Sequence, residues 1–384
     1  MAARDPNGRA ASESLTSVWG KSMMDFVDGM DDVDSADSMR PAPRPRSPHR
    51  SLVWTAILGL AMLGCEQAAQ PPQSPAPPAS TSGPRAGGDL PTQAGQIVLD
   101  GLTDPDPRIR ANAVEVVAST RALGLMPNVQ KLLADPVVRV RFAAAVAIGD
   151  LAYTPAKDTV GPLLNDPNQN VQIAAVYAIS RLGQPELHKE ICKTVASDDQ
   201  TVRANAALLL GRSGHKDGLR FLYWTLQRDD SADMVILQAA EAIALLGDAR
   251  IYPKLWTRLI SAYADDRILG IRAMGALGTD EAKNAIVTIL DDPVPEVRLA
   301  AAEQLGKLGD SAGEAEVLAV FEKNLMAGMD AQGQQRTKML AALAIGEIGT
   351  NPLAKYLPQL LQDPSKVVRL AAAKAVLRRA LKKP

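Results

Sequence analysis

The chain has 384 residues and a formal net charge of −1, with 46% apolar and 22% charged residues. An apolar fraction of this size can build a folded core, which excludes disorder along the whole length. The near-zero charge argues against a nucleic-acid partner, and two cysteines exclude a disulfide framework. With only 4 Trp, 6 Tyr and 4 Phe, the composition suits closely packed helices better than a β-sandwich.

The first ninety residues have the composition of an export signal followed by a spacer. Residues 1–38 are polar and acidic and are predicted to be disordered. Either translation begins at Met39 and the start codon has been assigned too early, or these residues are a long n-region of the signal. A basic run after Met39 is followed by an apolar stretch, 52–64, which as a helix rises about 20 Å. Because the hydrocarbon core is roughly 30 Å thick, residues 39–64 are interpreted as a secretory signal and not as a spanning helix.

The signal ends in Met62-Leu63-Gly64-Cys65, which resembles a bacterial lipobox. Gly64 and Cys65 match the motif, whereas Met62 and Leu63 depart from its usual residues. The resemblance implies that the Cys65 thiol is diacylated, that the signal is cut before it, and that the new amino terminus is acylated. The alternative is a plain signal peptide, or a buried helix with a chance cysteine.

Residues 65–94 are rich in proline and serine, a composition typical of a semi-rigid spacer. Glu66 follows the cysteine, where an Asp would resemble an inner-membrane retention signal. The expected location is therefore the bacterial cell envelope, with the chain lipid-anchored at the outer membrane and facing the periplasm.

Residues 95–384 repeat with a period of 31 residues. The clearest copy reads Asp292-Pro293-Val294-Pro295-Glu296-Val297-Arg298, followed by Ala301, Leu305, Gly306, Leu308 and Gly309. Positions equivalent to Arg298 recur at 110, 141, 172, 203, 236, 267, 338 and 369, spaced by 31 residues except for intervals of 33 and 40. Such a unit cannot bury its apolar face alone, so the copies must stack.

Each copy predicts a helical hairpin. The Asp-Pro pair breaks the incoming helix, and its carboxylate can accept backbone N–H groups at the next helix. Val297, Ala301 and Leu305 fall on one apolar helix face, and the closing glycine suits the left-handed conformation at a helix end. The predicted fold is an all-α, right-handed α-solenoid of about nine such hairpins. The 40-residue interval adds a longer loop or a helix extension around 326–335.

The Asp…Val-Arg…Ala…Leu-Gly pattern resembles the HEAT repeat, in the short form of the phycobilisome-lyase-like group, over residues 95–384. The period is shorter than the roughly 40–47 residues of longer HEAT units. The resemblance implies a structural ladder between successive repeats, made by Asp104, Arg110, Asp135, Arg141, Asp166, Arg203, Asp230, Arg267, Asp292, Arg298, Asp363 and Arg369. Ser197, Gln172 and Ile236 interrupt it.

No catalytic motif is present: the chain lacks an HExxH pair, a nucleotide-binding glycine loop, a GxSxG elbow and clustered CxxC pairs. Neither an enzyme nor a bound cofactor is expected. His188 and Cys192 stand at i and i+4, but His215, in the following loop, gives them no local third ligand, so no metal site is expected. The basic residues that end the chain, from Lys374 onward, are interpreted as a polar outer cap; the alternative is contact with acidic headgroups or polyanions.

Two groups of residues are candidates for contact with a protein or peptide partner. The first is aromatic and lies near the fifth and sixth repeats: Tyr223, Trp224, Tyr252 and Trp256, together with Phe221 and Tyr263. These rings could be binding anchors or could fill wider gaps between repeats. The second group, Tyr177, Arg181 and Arg212, falls where the groove is expected and could recognise an acidic peptide or a C-terminus; a solvated groove would look similar.

The pattern as a whole favours a lipid-anchored envelope scaffold that binds protein or peptide partners through its repeats. The alternatives are a bilin-lyase-like HEAT protein and a self-associating structural component of the envelope.

Overall fold

The computed structural model describes residues 89–323 and 325–382. The predicted extension 1–38, the predicted signal, Cys65 and residues 65–88 of the predicted spacer therefore lie outside the described residues. The first described helix begins at Leu90, so the last residues of the predicted spacer are helical. Within them the chain is helical and has no strand, and none of the helices combines the length and apolarity that crossing a bilayer requires. The predicted all-α array of nine hairpins is confirmed.

The described α-helices are α1 (Leu90–Leu102), α2 (Pro107–Ser119), α3 (Met126–Lys131), α4 (Val138–Asp150), α5 (Lys157–Val160), α6 (Gln169–Arg181), α7 (His188–Thr194), α8 (Gln200–Ser213), α9 (Leu219–Gln227), α10 (Asp233–Leu245), α11 (Tyr252–Leu259), α12 (Ala264–Leu277), α13 (Asp280–Thr288), α14 (Pro295–Lys307), α15 (Glu314–Glu322), α16 (Ala331–Ile348), α17 (Asn351–Ala354), α18 (Leu357–Leu361) and α19 (Lys366–Lys382). Short 3-10 turns lengthen several of the shorter ones.

The helices fall into two sets. Those that carry the repeated Val-Arg position are called ladder helices: α2, α4, α6, α8, α10, α12, α14, α16 and α19. Each packs against the next ladder helix, and the remaining, outer helices pack on them. Much of each ladder helix is buried, and the alanines that most of them carry allow neighbouring helices to approach closely. The 40-residue interval is absorbed by a longer connection and by an early start of α16, seven residues before Lys338.

Aspartates and glycines define the ends of the repeat units. The Asp135 carboxylate accepts the backbone N–H of Val137 at 2.9 Å, and Asp292 accepts that of Val294 at the same distance. The carboxylate therefore closes the turn just before the ladder helix begins. At the other end, Gly349 adopts φ +79° and caps α16, a conformation that favours glycine.

A second glycine, eight residues after the ladder arginine, allows ladder helices to touch. A Cβ added to Gly211 would lie 2.7 Å from the Ala242 Cα, and one added to Gly346 would lie 2.6 Å from the Ala375 Cα. These contacts are with backbone atoms, which cannot rotate away. The glycine in this part of the repeat pattern is thus a packing residue.

The ladder arginines bridge consecutive repeats. Guanidinium groups pair with the aspartate of the next repeat through two parallel N–H···O bonds, at 2.8 and 2.9 Å for Arg110–Asp135 and at 2.7 and 2.9 Å for both Arg141–Asp166 and Arg267–Asp292. Arg203 makes a longer pair with Asp230. The third guanidinium nitrogen of most of these arginines donates to the carbonyl six residues earlier, so each fixes the turn of its own repeat as well.

Two members of the expected ladder depart from this pairing. Arg298 Nε donates to Glu316 at 2.6 Å, because the longer 40-residue interval puts no ladder aspartate within its reach. Arg369 donates to the carbonyls of Asp363 and Pro364 in its own repeat. Asp363 is instead reached by Lys338, at 2.8 Å. In its last third the ladder therefore lacks the paired arginine–aspartate bonds, and a single lysine contact, Lys338–Asp363, reaches the last ladder aspartate.

The array closes on itself. Helix α19 packs against α1 and α2, with Leu370 against the position of Gly101, where an added Cβ would lie 3.2 Å from Leu370 Cδ2. Two ion pairs cross this seam, Lys366–Asp104 at 2.7 Å and Lys374–Glu115 at 3.1 Å. The described repeats thus form a ring, and the basic end of the chain is not an outer cap. Lys374 joins the first repeat, whereas Arg378, Arg379 and Lys382 contact Glu347 and Thr350 of the preceding one.

Candidate partner-binding site

The inside of the ring is lined by charged side chains of the ladder helices. Positions six and ten after the repeat valine supply them: Glu115, Asp150, Arg181, Arg212, Glu241, Arg272, Glu303, Lys307, Glu347, Lys374 and Arg378. Many are paired within the ring: Lys307 contacts Glu303 at 2.8 Å, and Arg378 contacts Glu347 at 3.3 Å. Burial would raise the pKa of Glu303, but Lys307 and Arg272 hold it below the ordinary value.

A three-residue network spans three successive ladder helices. The Tyr177 hydroxyl donates to one Asp150 oxygen at 2.7 Å, and Arg212 donates to the other. Because α4 and α8 are separated by α6, this contact shows that the ladder helices curve around a common interior. Burial, and then the Asp150 charge, raise the pKa of Tyr177 above its ordinary value. The network is therefore a neutral phenol and an ion pair that satisfy one another.

The three groove candidates, Tyr177, Arg181 and Arg212, are not exposed together as one binding cluster. Tyr177 is only 1% exposed because its ring lies across Gly149, where an added Cβ would be 2.6 Å from the ring. Tyr177 is therefore not accessible to a partner. Arg212 is committed to Asp150, whereas Arg181 is exposed and donates to the Gly149 carbonyl at 3.4 Å.

The aromatic candidates divide between packing and exposure. Phe221 is 7% and Trp224 9% exposed, so both fill space between helices and leave the candidate set; the Arg228 guanidinium covers the Trp224 ring at 4.6 Å. Tyr223 is half-buried, with Arg250 over its ring at 5.2 Å. Burial raises the pKa of Tyr223 to about 12, and Asp248 adds to that rise.

An exposed apolar surface remains on α11 and the loop that follows it. Tyr252 and Trp256 stack with ring centroids 6.4 Å apart and planes inclined by 23°. Trp256 is 38% exposed, Ile260 64% and Tyr263 60%. These four residues are called the outer patch. Large exposed apolar side chains grouped within twelve residues of chain are typical of a protein-binding surface.

A cleft opens on the opposite side of α11, between α10 and α12. Its volume is about 340 Å³, at the lower end of the roughly 300–1,000 Å³ of ligand pockets. Apolar side chains that are incompletely buried form its walls: Met234, Ile236, Leu237, Leu245 and Leu269. Lys254, Arg258 and Arg272 add positive charge, while Glu241 and Asp150 add negative charge. Ile236 stands where a ladder arginine would otherwise bridge to the next repeat.

His188 has a neighbour that the sequence analysis did not expect, the imidazole of His215. His215 is not isolated: the two imidazole centroids are 4.5 Å apart. His188 Nε2 contacts Asp217 at 3.1 Å and Cys192 Sγ at 3.6 Å. Burial lowers the pKa of His188 and raises that of Cys192 to about 12, which leaves both groups neutral near pH 7. Among residues 89–323 and 325–382, no three His, Cys, Asp or Glu side chains converge in a way that could hold a metal ion.

Comparison with family models agrees with the repeat architecture. Family models for HEAT repeats match residues 258–328 and residues 125–154. No curated protein sequence matches the chain.

Similar solved structures include human deoxyhypusine hydroxylase in complex with glycerol, at 17% identity over 69% of this chain and 99% of that chain, with a TM-score of 0.34. The complex of CpcE and CpcF of phycocyanin lyase from a Nostoc species is 16% identical over 66% of this chain and 94% of that chain, with a TM-score of 0.37. Kap121p bound to Pho4p is 14% identical over 73% and 37%, with a TM-score of 0.31. The family models place HEAT repeats at residues 125–154 and 258–328 of the helical array.

Proposed function

We propose that the protein is a non-enzymatic scaffold of the bacterial cell envelope, anchored by a lipid on Cys65, that binds a protein partner through the outer patch. The observation that carries this proposal is the exposure of Trp256, Ile260 and Tyr263 beside a stacked Tyr252. An aromatic ring that is already packed on a neighbour loses little conformational freedom when it becomes buried at an interface.

The anchor part of the proposal rests on the lipobox-like Met62-Leu63-Gly64-Cys65 and on the proline-rich segment after it. Two or three acyl chains would hold the protein at a membrane far more firmly than one. The test is intact mass and membrane fractionation of the full chain beside a Cys65→Ala variant. A diacylated or triacylated chain beginning at Cys65 in the membrane pellet supports the anchor. A soluble, unmodified chain that retains residues 1–64 contradicts it.

The binding part is tested by photo-crosslinking on membranes with the wild type and a Trp256→Ala/Tyr263→Ala variant. The matched control is Leu123→Ser, because Leu123 is also exposed, at 52%, but lies far from the patch in the chain. We expect a crosslinked protein that is retained in the control and lost in the double variant, with circular dichroism showing both variants folded. A crosslink that persists in the double variant would overturn the patch as the binding surface. A crosslink only to another copy of this chain would favour the self-associating alternative.

A further inference from the structure

One basic side chain in the cleft between α10 and α12 has no partner in the part of the chain that the structure describes. Among the described residues, the Lys254 ammonium has no hydrogen-bond or ion-pair partner, although it lies in the cleft beside Arg258. Burial and the Arg258 charge both lower the pKa of Lys254. Arg258 itself has only a long contact with Asp266, at 3.5 Å. Four basic side chains (Arg212, Lys254, Arg258 and Arg272) and two acidic ones (Asp150 and Glu241) line the cleft, which leaves it with an excess of positive charge.

The apolar walls of the cleft are also incompletely packed. Leu237 of α10 and Leu269 of α12 both line the cleft and remain partly exposed, and Leu245 is 44% exposed. Where α11 meets α12, by contrast, the backbones touch: a Cβ at Gly270 would lie 3.1 Å from the Leu259 nitrogen. The close contact at this floor limits how near α11 and α12 can approach each other, and the walls above it are open to solvent.

We propose that this cleft binds the C-terminal end of a partner polypeptide, with the terminal carboxylate at Lys254 and Arg258 and the last apolar side chain between Leu237 and Leu269. A free carboxylate at a C-terminus combines the single negative charge and the adjacent apolar group that the cleft complements. A charge-assisted hydrogen bond to an unpaired ammonium is stronger than a neutral one.

The acidic members of the cleft distinguish a peptide from a fatty acid. Glu241 accepts a hydrogen bond from Gln238 at 3.2 Å and retains accepting capacity toward the cleft. A peptide backbone offers N–H donors to it, whereas an acyl chain would leave the carboxylate against methylene groups at a desolvation cost. The balance of charges therefore favours the peptide.

This inference rests on the proposed scaffold function and names the feature of the partner that would be recognised at a second surface. The outer patch and the cleft lie on opposite sides of α11 and can be disabled separately. Loss of crosslinking through the patch would leave peptide binding in the cleft intact, and the reverse also holds, so that failure of one proposal is distinguishable from failure of the other.

The probes are fluorescein-labelled hexapeptides that end in Leu, Phe or Val, each prepared as the free acid and as the C-terminal amide, and lauric acid as competitor. Fluorescence anisotropy is measured with the full chain, with Lys254→Gln, and with Lys189→Gln as the matched control on the exposed face of α7. We expect at least one free acid to bind about tenfold or more tightly than its amide, and Lys254→Gln to remove that difference.

A second variant, Leu237→Trp, fills the cleft and is expected to abolish binding of acid and amide alike, while Lys189→Gln leaves binding unchanged. Absence of binding by all three free acids, equal binding of acid and amide, or an unaffected Lys254→Gln variant would each overturn the proposal. Displacement of the peptides by lauric acid at comparable affinity would show that the cleft is a lipid site and would overturn it as well.

Discussion

At the scale of single residues, the paired arginines have the clearest energetic consequence. Burial would raise the pKa of Asp166, but the hydrogen bonds from Arg141 and from the Asn168 N–H hold it below the ordinary value. Arg141→Met removes two of those bonds and leaves the buried carboxylate with one. We expect the free energy of unfolding to fall by about 2–3 kcal/mol, measured by urea denaturation.

The matched variant is Arg108→Met, which breaks an ion pair with Asp106 whose arginine side chain is 68% exposed. Its effect should stay within about 0.5 kcal/mol, since exposed pairs contribute little. Equal losses in the two variants would contradict a stabilising ladder.

His188 makes stability depend on pH. Burial lowers its pKa below 6.5; the Asp217 charge opposes this and His215 adds to it. The unfolded chain therefore takes up a proton before the folded protein does, and stability falls as pH drops below about 6.5 until the lower, folded pKa is passed. His188→Gln should flatten the free energy of unfolding between about pH 5 and 7. The wild type serves as the reference, and an unchanged slope in the variant would assign the pH dependence to other groups.

At the scale of the helices, glycine placement decides how closely neighbours pack. Gly346→Ala would place a methyl 2.6 Å from the Ala375 backbone, so it should destabilise by about 1–3 kcal/mol despite the better helix propensity of alanine. Gly95 of α1 has nothing within 4 Å of its hypothetical Cβ, and Gly95→Ala should stabilise by about 0.5–1 kcal/mol. Opposite signs in thermal unfolding are the expected result; a neutral Gly346→Ala would show that α16 and α19 are not in close contact.

The helical hairpins were predictable because their determinants are local: an Asp-Pro turn, an apolar face and a closing glycine lie within one repeat. Pairs such as Arg141–Asp166 followed from the repeat resemblance. The burial of Tyr177 could not be predicted in this way. Its ring packs into the space left by the missing side chain of Gly149, which belongs to the preceding repeat. The position of the α10–α12 cleft also required three-dimensional information, although Ile236 in the arginine row marked the repeat where it occurs.

At the scale of the described ring, closure could not be predicted from the repeat pattern. Whether the ninth unit meets the first depends on a small rotation between repeats that accumulates around the array, and no motif encodes it. The charges at the seam do fit: Lys374 and Glu115, whose side chains are 13% and 9% exposed, lie on helices 259 positions apart in the chain.

The seam can be tested by exchanging its charges. Lys374→Glu places two carboxylates together and should speed amide hydrogen exchange in α1 and α19 by about tenfold or more. The double variant Glu115→Lys/Lys374→Glu restores the opposite charges and should return exchange toward the wild-type rate. If Lys374→Glu left the exchange of both helices unchanged, α19 would not be joined to α1 in solution.

Closure also determines how this repeat protein can vary in length. An open array tolerates an added or deleted unit because each repeat depends only on its neighbours. Here an extra 31-residue copy would have to be absorbed by a change of rotation at every interface, or α19 would no longer meet α1 and Leu370 would lose its cover. The number of repeats is therefore a property of the ring as a whole, and duplication of a single unit, the ordinary route by which such arrays grow, is unavailable to it without loss of the seam.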